Sequence, residues 1–187
     1  MDARPATSLS LEGGHEAALV LATQRGEPGA CAELLQHHHR FLHRLCLALT
    51  QDLDRAHVLE RSIARELWRG RHELQVGQPL LPHLLQLLRA VAMAEARGHQ
   101  PPVLRPNGLA WESGVLGAHD VGFERRLLAA LAAQPLDDQL LLALRLCERL
   151  PYPDIAPLAG MSAANAMGRV AYVREQLATA MRTGNAA

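Results

Sequence analysis

Four residues toward the C-terminal end, Ser162, Asn165, Arg169 and Arg174, have the types and spacing to read a nucleic acid. Guanidinium groups bind phosphates or the acceptor edge of guanine, and an asparagine carboxamide matches the major-groove edge of adenine. A serine opening a helix caps its free N–H groups. A second set, His39, His43 and Cys46, falls at i, i+4 and i+7, so one helical face could present all three. Imidazole and thiolate are zinc ligands. Three ligands on one helix make a weak motif, however, and Cys46 stands between Leu45 and Leu47 as a buried apolar residue would. No metal and no cofactor is therefore expected.

The first set needs a particular scaffold. Leu150 to Leu177 reads as a short helix, a turn at Gly160, and a longer helix opened by Ser162. This is the helix-turn-helix pattern, which aims its second helix at a major groove. Gly168 lies inside that second helix, at a cost of about 1 kcal/mol against alanine. Pro157 lies inside the first, which it should shorten or distort. Upstream, Ala18 to Ala22 open a helix that Gly26 and Pro28 break. Cys31 to Leu49 form the next, with Leu34, Leu35, Phe41, Leu42, Leu45 and Leu49 along one broad face. A third, capped by Asp52 or Asp54, runs to about Leu74 with the stripe Leu59, Ile63, Leu67 and Trp68.

Leu80 to Ala96 is apolar over a wider arc than a surface helix needs, which marks either a central core helix or a partner-docking face. Leu140 to Leu146 pose the same choice. The Pro- and Gly-rich stretch 99–120, which holds Trp111, reads as a linker. The expected architecture is all-α: a helical domain over 15–98, a linker over 99–120 and a helix-turn-helix domain over 121–183.

Composition narrows the function classes. Hydrophobic residues make up 49% and aromatics only 3%, so Leu and Ala must fill the core, and both favour helix. Nineteen basic residues, all arginine, balance nineteen acidic ones, so the basic surplus usual in a DNA-binding protein is absent. Three cysteines without a CxxC pair fit a reducing compartment, and no signal peptide or membrane span is visible. A cytoplasmic location is expected. No Ser-His-Asp grouping, phosphate loop or carboxylate pair can be placed, so the chain is expected to bind rather than catalyse, with no small-molecule substrate and no membrane partner.

The order and spacing of these helices resemble the extracytoplasmic-function sigma factors, the small bacterial sigma subunits of RNA polymerase. Tyr152, Ile155, Ala156, Gly160, Ser162, Arg169, Arg174 and Leu177 match the family's C-terminal helix-turn-helix, with Met167 and Tyr172 where that pattern has Lys and Arg. Ala56, Leu59 and Trp68 match the helix that grips the polymerase clamp, with His57, Val58 and Arg61 where the family has two acids and a glutamine. In the promoter-reading helix, His83 and Ala90 replace aromatic and polar positions, and Arg89 and Arg97 stay basic.

The resemblance implies that Asp52, Ala56, Leu59 and Arg61 meet core RNA polymerase. It implies that Ser162, Asn165, Arg169, Arg174, Arg89 and Arg97 meet promoter DNA, with an anti-sigma factor as a further partner. The alternative is a sigma-like interaction module that binds an anti-sigma factor or another regulator and reads no promoter.

Overall fold

The computed structural model describes residues 13–98 and 121–183; the expected linker and Trp111 lie outside them. Among the described residues there is no strand. The helices are α1 (Gly13–Gln24), α2 (Pro28–Thr50), α3 (Leu53–Arg69), α4 (Leu80–Gly98), α5 (Val121–Ala132), α6 (Leu136–Leu142), α7 (Tyr152–Ala159) and α8 (Ala163–Thr183). A π-type segment, Ala143–Cys147, continues α6. No helix is long and apolar enough to cross a membrane.

Local chemistry explains most of the boundaries. Gly26 takes a left-handed φ of 88° after α1, and Pro28 starts α2 where its missing N–H costs nothing. Asp52 accepts a 3.0 Å hydrogen bond from the Arg55 N–H and so caps α3. Gly70 stops α3 at Arg69, short of the expected Leu74, and Arg71–Glu73 form a 3-10 turn. The N-terminus of α4 is capped from a distance: Glu16 of α1 accepts from the Leu80 N–H at 2.9 Å. Pro157 does not break α7. The helix passes through Pro157 and ends two residues later, and Gly160 makes the turn at φ 64°.

α1 to α4 pack in sequence, and α5, α6 and α7 gather on α8. The two groups then close on each other. α6 and the π-type segment lie on α2, while α4 meets α6 and α7. One continuous core results, running from Leu34, Leu45, Ile63, Leu84 and Leu88 into Leu140 to Leu144 and on to Ile155 and Val170. Both Leu-rich stretches are thereby assigned. Leu80, Leu81, Leu84, Leu85 and Leu88 are buried, and so are Leu140 to Leu144, leaving Leu146 exposed.

His38 is buried in this core, its Nε2 3.5 Å from the Glu16 carboxylate that caps α4. Burial holds its pKa below the ordinary 6.5; Glu16 opposes the shift and His37 adds to it. The unfolded chain therefore binds this proton more readily than the folded one below pH 6.5, so stability falls as pH drops through that value. Denaturant titrations from pH 7.5 to 5 should show the decline. His38→Gln should flatten it in part, because His83 is also shifted down by burial.

Candidate nucleic-acid and partner interface

α8 owes its orientation to the stripe Ala166, Val170 and Val173, all buried, with Leu177 partly so. This spacing of four, three and four turns the opposite face outward. Ala164, Asn165, Met167, Gly168, Arg169, Ala171, Tyr172 and Arg174 are exposed there. Ser162 spends its hydroxyl on the helix start, accepting from the Asn165 N–H at 3.2 Å.

The arginines divide into held and free. Arg169 brings its Nε to 2.8 Å from the buried Asp138 carboxylate. This is a charge contact rather than an aligned hydrogen bond, since that oxygen has no hydrogen-bond donor. Arg89 of α4 grips the neighbouring Asp137 through two bonds, one of them Nη2 to Oδ2 at 3.0 Å. The Arg89 hydrogen bond holds the Asp137 pKa below the usual carboxylate range, and the charges of Arg89 and Arg169 add to the effect. Arg182 pairs with Glu175 at 3.0 Å. Arg174 is exposed and has no ion-pair partner among the described residues. Arg97 lies on α4, and its side chain falls outside the described residues.

Two residues assigned to DNA, from opposite halves of the chain, thus converge on the first turn of α6. Asp137 and Asp138 escaped the sequence reading. Acids in a first helical turn look like ordinary helix-dipole partners, and only the tertiary fold sets them beside Arg89 and Arg169. A second bridge across the junction was equally hidden: Arg44 of α2 holds both carboxylate oxygens of Glu148 through Nε and Nη2, Nε to Oε1 at 2.7 Å.

On α3, Ala56 and Leu59 are buried in the core, and Asp52 is engaged as the cap. These three serve packing and capping, and of the four residues assigned to polymerase Arg61 faces outward. The outward stripe is Asp54, Val58, Arg61, Arg65 and Arg69 at spacings of four, three, four and four, a largely basic line. Trp68 is half-buried against the core, with the Arg71 guanidinium 4.8 Å above its ring.

Gly168 sits on the outer face of α8 with nothing within 4 Å of where a Cβ would stand. Gly168→Ala should therefore raise stability by about 0.5–1 kcal/mol through helix propensity. Chemical denaturation measures the gain.

Solved structures share this architecture, two of them as follows. CnrH in complex with the cytosolic domain of CnrY aligns at a TM-score of 0.62 and 13% identity, over 90% of this chain and 98% of that one. The sigma factor RpoE in complex with the anti-sigma factor NepR from Bartonella quintana aligns at 0.55 and 20% identity, over 81% of this chain and 96% of that one. No protein-family model matches the sequence. No curated protein matches it either. At these identities the likeness establishes the fold, which is all-α and sigma-factor-like.

Proposed function

We propose that this chain is a sigma-factor-like regulator of transcription initiation, acting by binding to core RNA polymerase and promoter DNA, and that the packed arrangement is its resting form. One observation carries the reading: Arg89 and Arg169, two of the six residues that the resemblance assigns to promoter DNA, both rest on the acidic turn Asp137–Asp138. Carboxylates there stand in for phosphates. Separating the two halves would exchange those internal partners for DNA, the exchange of ions on which protein–DNA affinity largely depends. Arg61, Arg65 and Val58 on the outer stripe of α3 then form the polymerase-facing surface.

Co-purification with bacterial core RNA polymerase tests this. A saturable complex that Arg61→Glu weakens supports the reading. Arg61 is the variant to use because it is exposed, whereas a charge at the buried Leu59 would disrupt the core. Failure to form a complex sinks the reading.

A second reading is favoured by the outer face of α8. Met167 and Tyr172 are 53% and 62% exposed, at positions where the resembled pattern has Lys and Arg. With Ala164, Gly168 and Ala171 beside them, they form a largely uncharged surface better suited to a protein than to phosphates. In this reading the chain is a sigma-like interaction module whose partner is an anti-sigma factor or another regulator. Tyr172→Ala would then reduce partner capture, and neither polymerase nor DNA would bind.

A further inference from the structure

The outer groove between α2 and α3 gathers three imidazoles around one carboxylate. His39 and His43 stand one turn apart on α2, and His57 and Glu60 one turn apart on α3. The His43 Nδ1 lies 2.6 Å from Glu60 Oε1, and the His57 Nδ1 lies 3.2 Å from Glu60 Oε2. The His39 and His43 rings are nearly parallel, with centroids 5.7 Å apart, and the His57 ring is 5.4 Å from that of His43. Ligand atoms of His39, His43 and Glu60 all lie within 4.8 Å of one another. An open groove of about 210 Å³, lined by Leu35, His39, Leu42, Glu60, Arg61 and Ala64, leads to them.

From this geometry we propose that His39, His43 and Glu60 bind one zinc-class divalent ion, with His57 hydrogen-bonded to the Glu60 carboxylate beside it. Nitrogen and carboxylate ligands around tetrahedral zinc sit at about 2.0–2.2 Å from the ion, so they lie roughly 3.3 Å from each other. The His43–Glu60 pair, at 2.6 Å, is closer than this and His39 lies within 4.8 Å of both, so the present spacings bracket the one zinc requires. Imidazoles with a carboxylate suit zinc far better than calcium or magnesium, which prefer oxygen ligands. The donors come from two helices packed along their length, so the backbone is already in place before the ion arrives. Cys46, which shares the helical spacing of the two histidines, takes no part. It is fully buried, and burial with help from nearby carboxylates pushes its thiol up to about 12. The spacing on α2 supplied half of the site, and α3 supplies the other half. Arg61 at the rim opposes the ion's charge and limits the affinity.

Cobalt(II) absorption and zinc(II) calorimetry on the full chain, freed of metal by a chelator, test the site. The expected result is one equivalent of Co²⁺ with ligand-field bands that Zn²⁺ abolishes, and a melting temperature that rises with Zn²⁺. His39→Ala and Glu60→Gln should each weaken binding by roughly tenfold or more, the scale of losses at metal sites. His39 is exposed, so its removal leaves the fold intact, and circular dichroism verifies this. His15→Asn and His72→Asn, outside the groove, should change nothing. Absence of saturable binding, or equal binding by the site variants and the parent, overturns the proposal.

Discussion

Arg44→Glu should destabilise the protein by about 2–4 kcal/mol, the scale of a like-charge contact made against a buried group. Most surface ion pairs contribute little. This one differs because Glu148 has only 2% of its side chain exposed, and the Arg44 guanidinium covers it with two bonds. Reversing Arg44 sets a second carboxylate beside Glu148 at the junction of α2 with the π-type segment, and Glu148, with 2% of its side chain exposed, cannot turn away from it. The swap Arg44→Glu with Glu148→Arg should recover most of the loss, since it restores opposite charges on the same two elements. Urea titrations of the four proteins in this cycle give the coupling. If the double variant is no more stable than Arg44→Glu, the pair does not hold the junction.

Leu141→Ala should cost about 3 kcal/mol and loosen both halves of the chain at once. Leu141 is 2% exposed on α6, the helix that touches α2, α4 and α8. Truncating a buried leucine to alanine loses transfer energy and leaves a cavity, about 2–5 kcal/mol together. With one continuous core, the loss is shared. Hydrogen exchange should show protection falling in α2 and α3 as well as in α8. Two independently folded units would instead lose protection only from α5 to α8. A protein of ordinary marginal stability has little to spare, so the variant should melt several degrees lower.

How far the sequence foretold this arrangement depends on the distance between the partners. Asp52 as one of two candidate caps, the break at Gly26, the turn at Gly160 and the stripe Leu59, Ile63, Leu67 were legible because each depends on its neighbours within a turn or two. The wide apolar arc of α4 marked it as either a central core helix or a partner-docking face, and did not say which. α6 and α7 cover part of it.

The candidate site was legible only by halves. Arg89 and Arg169 could be picked out as basic residues on the right helices, but Asp137 lies 48 residues from Arg89, and Glu148 lies 104 from Arg44. No periodicity encodes such pairings, which are set when helices of separate groups close on each other. Burial sorts the residues assigned to polymerase. Ala56 and Leu59 are buried because α3 must pack, and that orientation leaves Val58, Arg61 and Arg65 exposed. His39 and His43 were visible as a pair, while Glu60 and His57 join them only through the packing of α3 on α2.

The most direct test of the account is whether the acidic turn of α6 withholds arginines from DNA. Fluorescence anisotropy of a labelled DNA duplex, titrated with the parent and with Asp137→Asn/Asp138→Asn at several salt concentrations, measures this. Asparagine keeps the shape of both side chains and removes the charges that hold Arg89 and Arg169. Each arginine freed to meet a phosphate adds about 0.9 to the slope of log affinity against log salt. The double variant should bind at least roughly tenfold more tightly at low salt, with a slope steeper by up to about 1.8. Equal affinity and equal slope for the two proteins would contradict it and leave the uncharged face of α8 as the surface through which this chain acts.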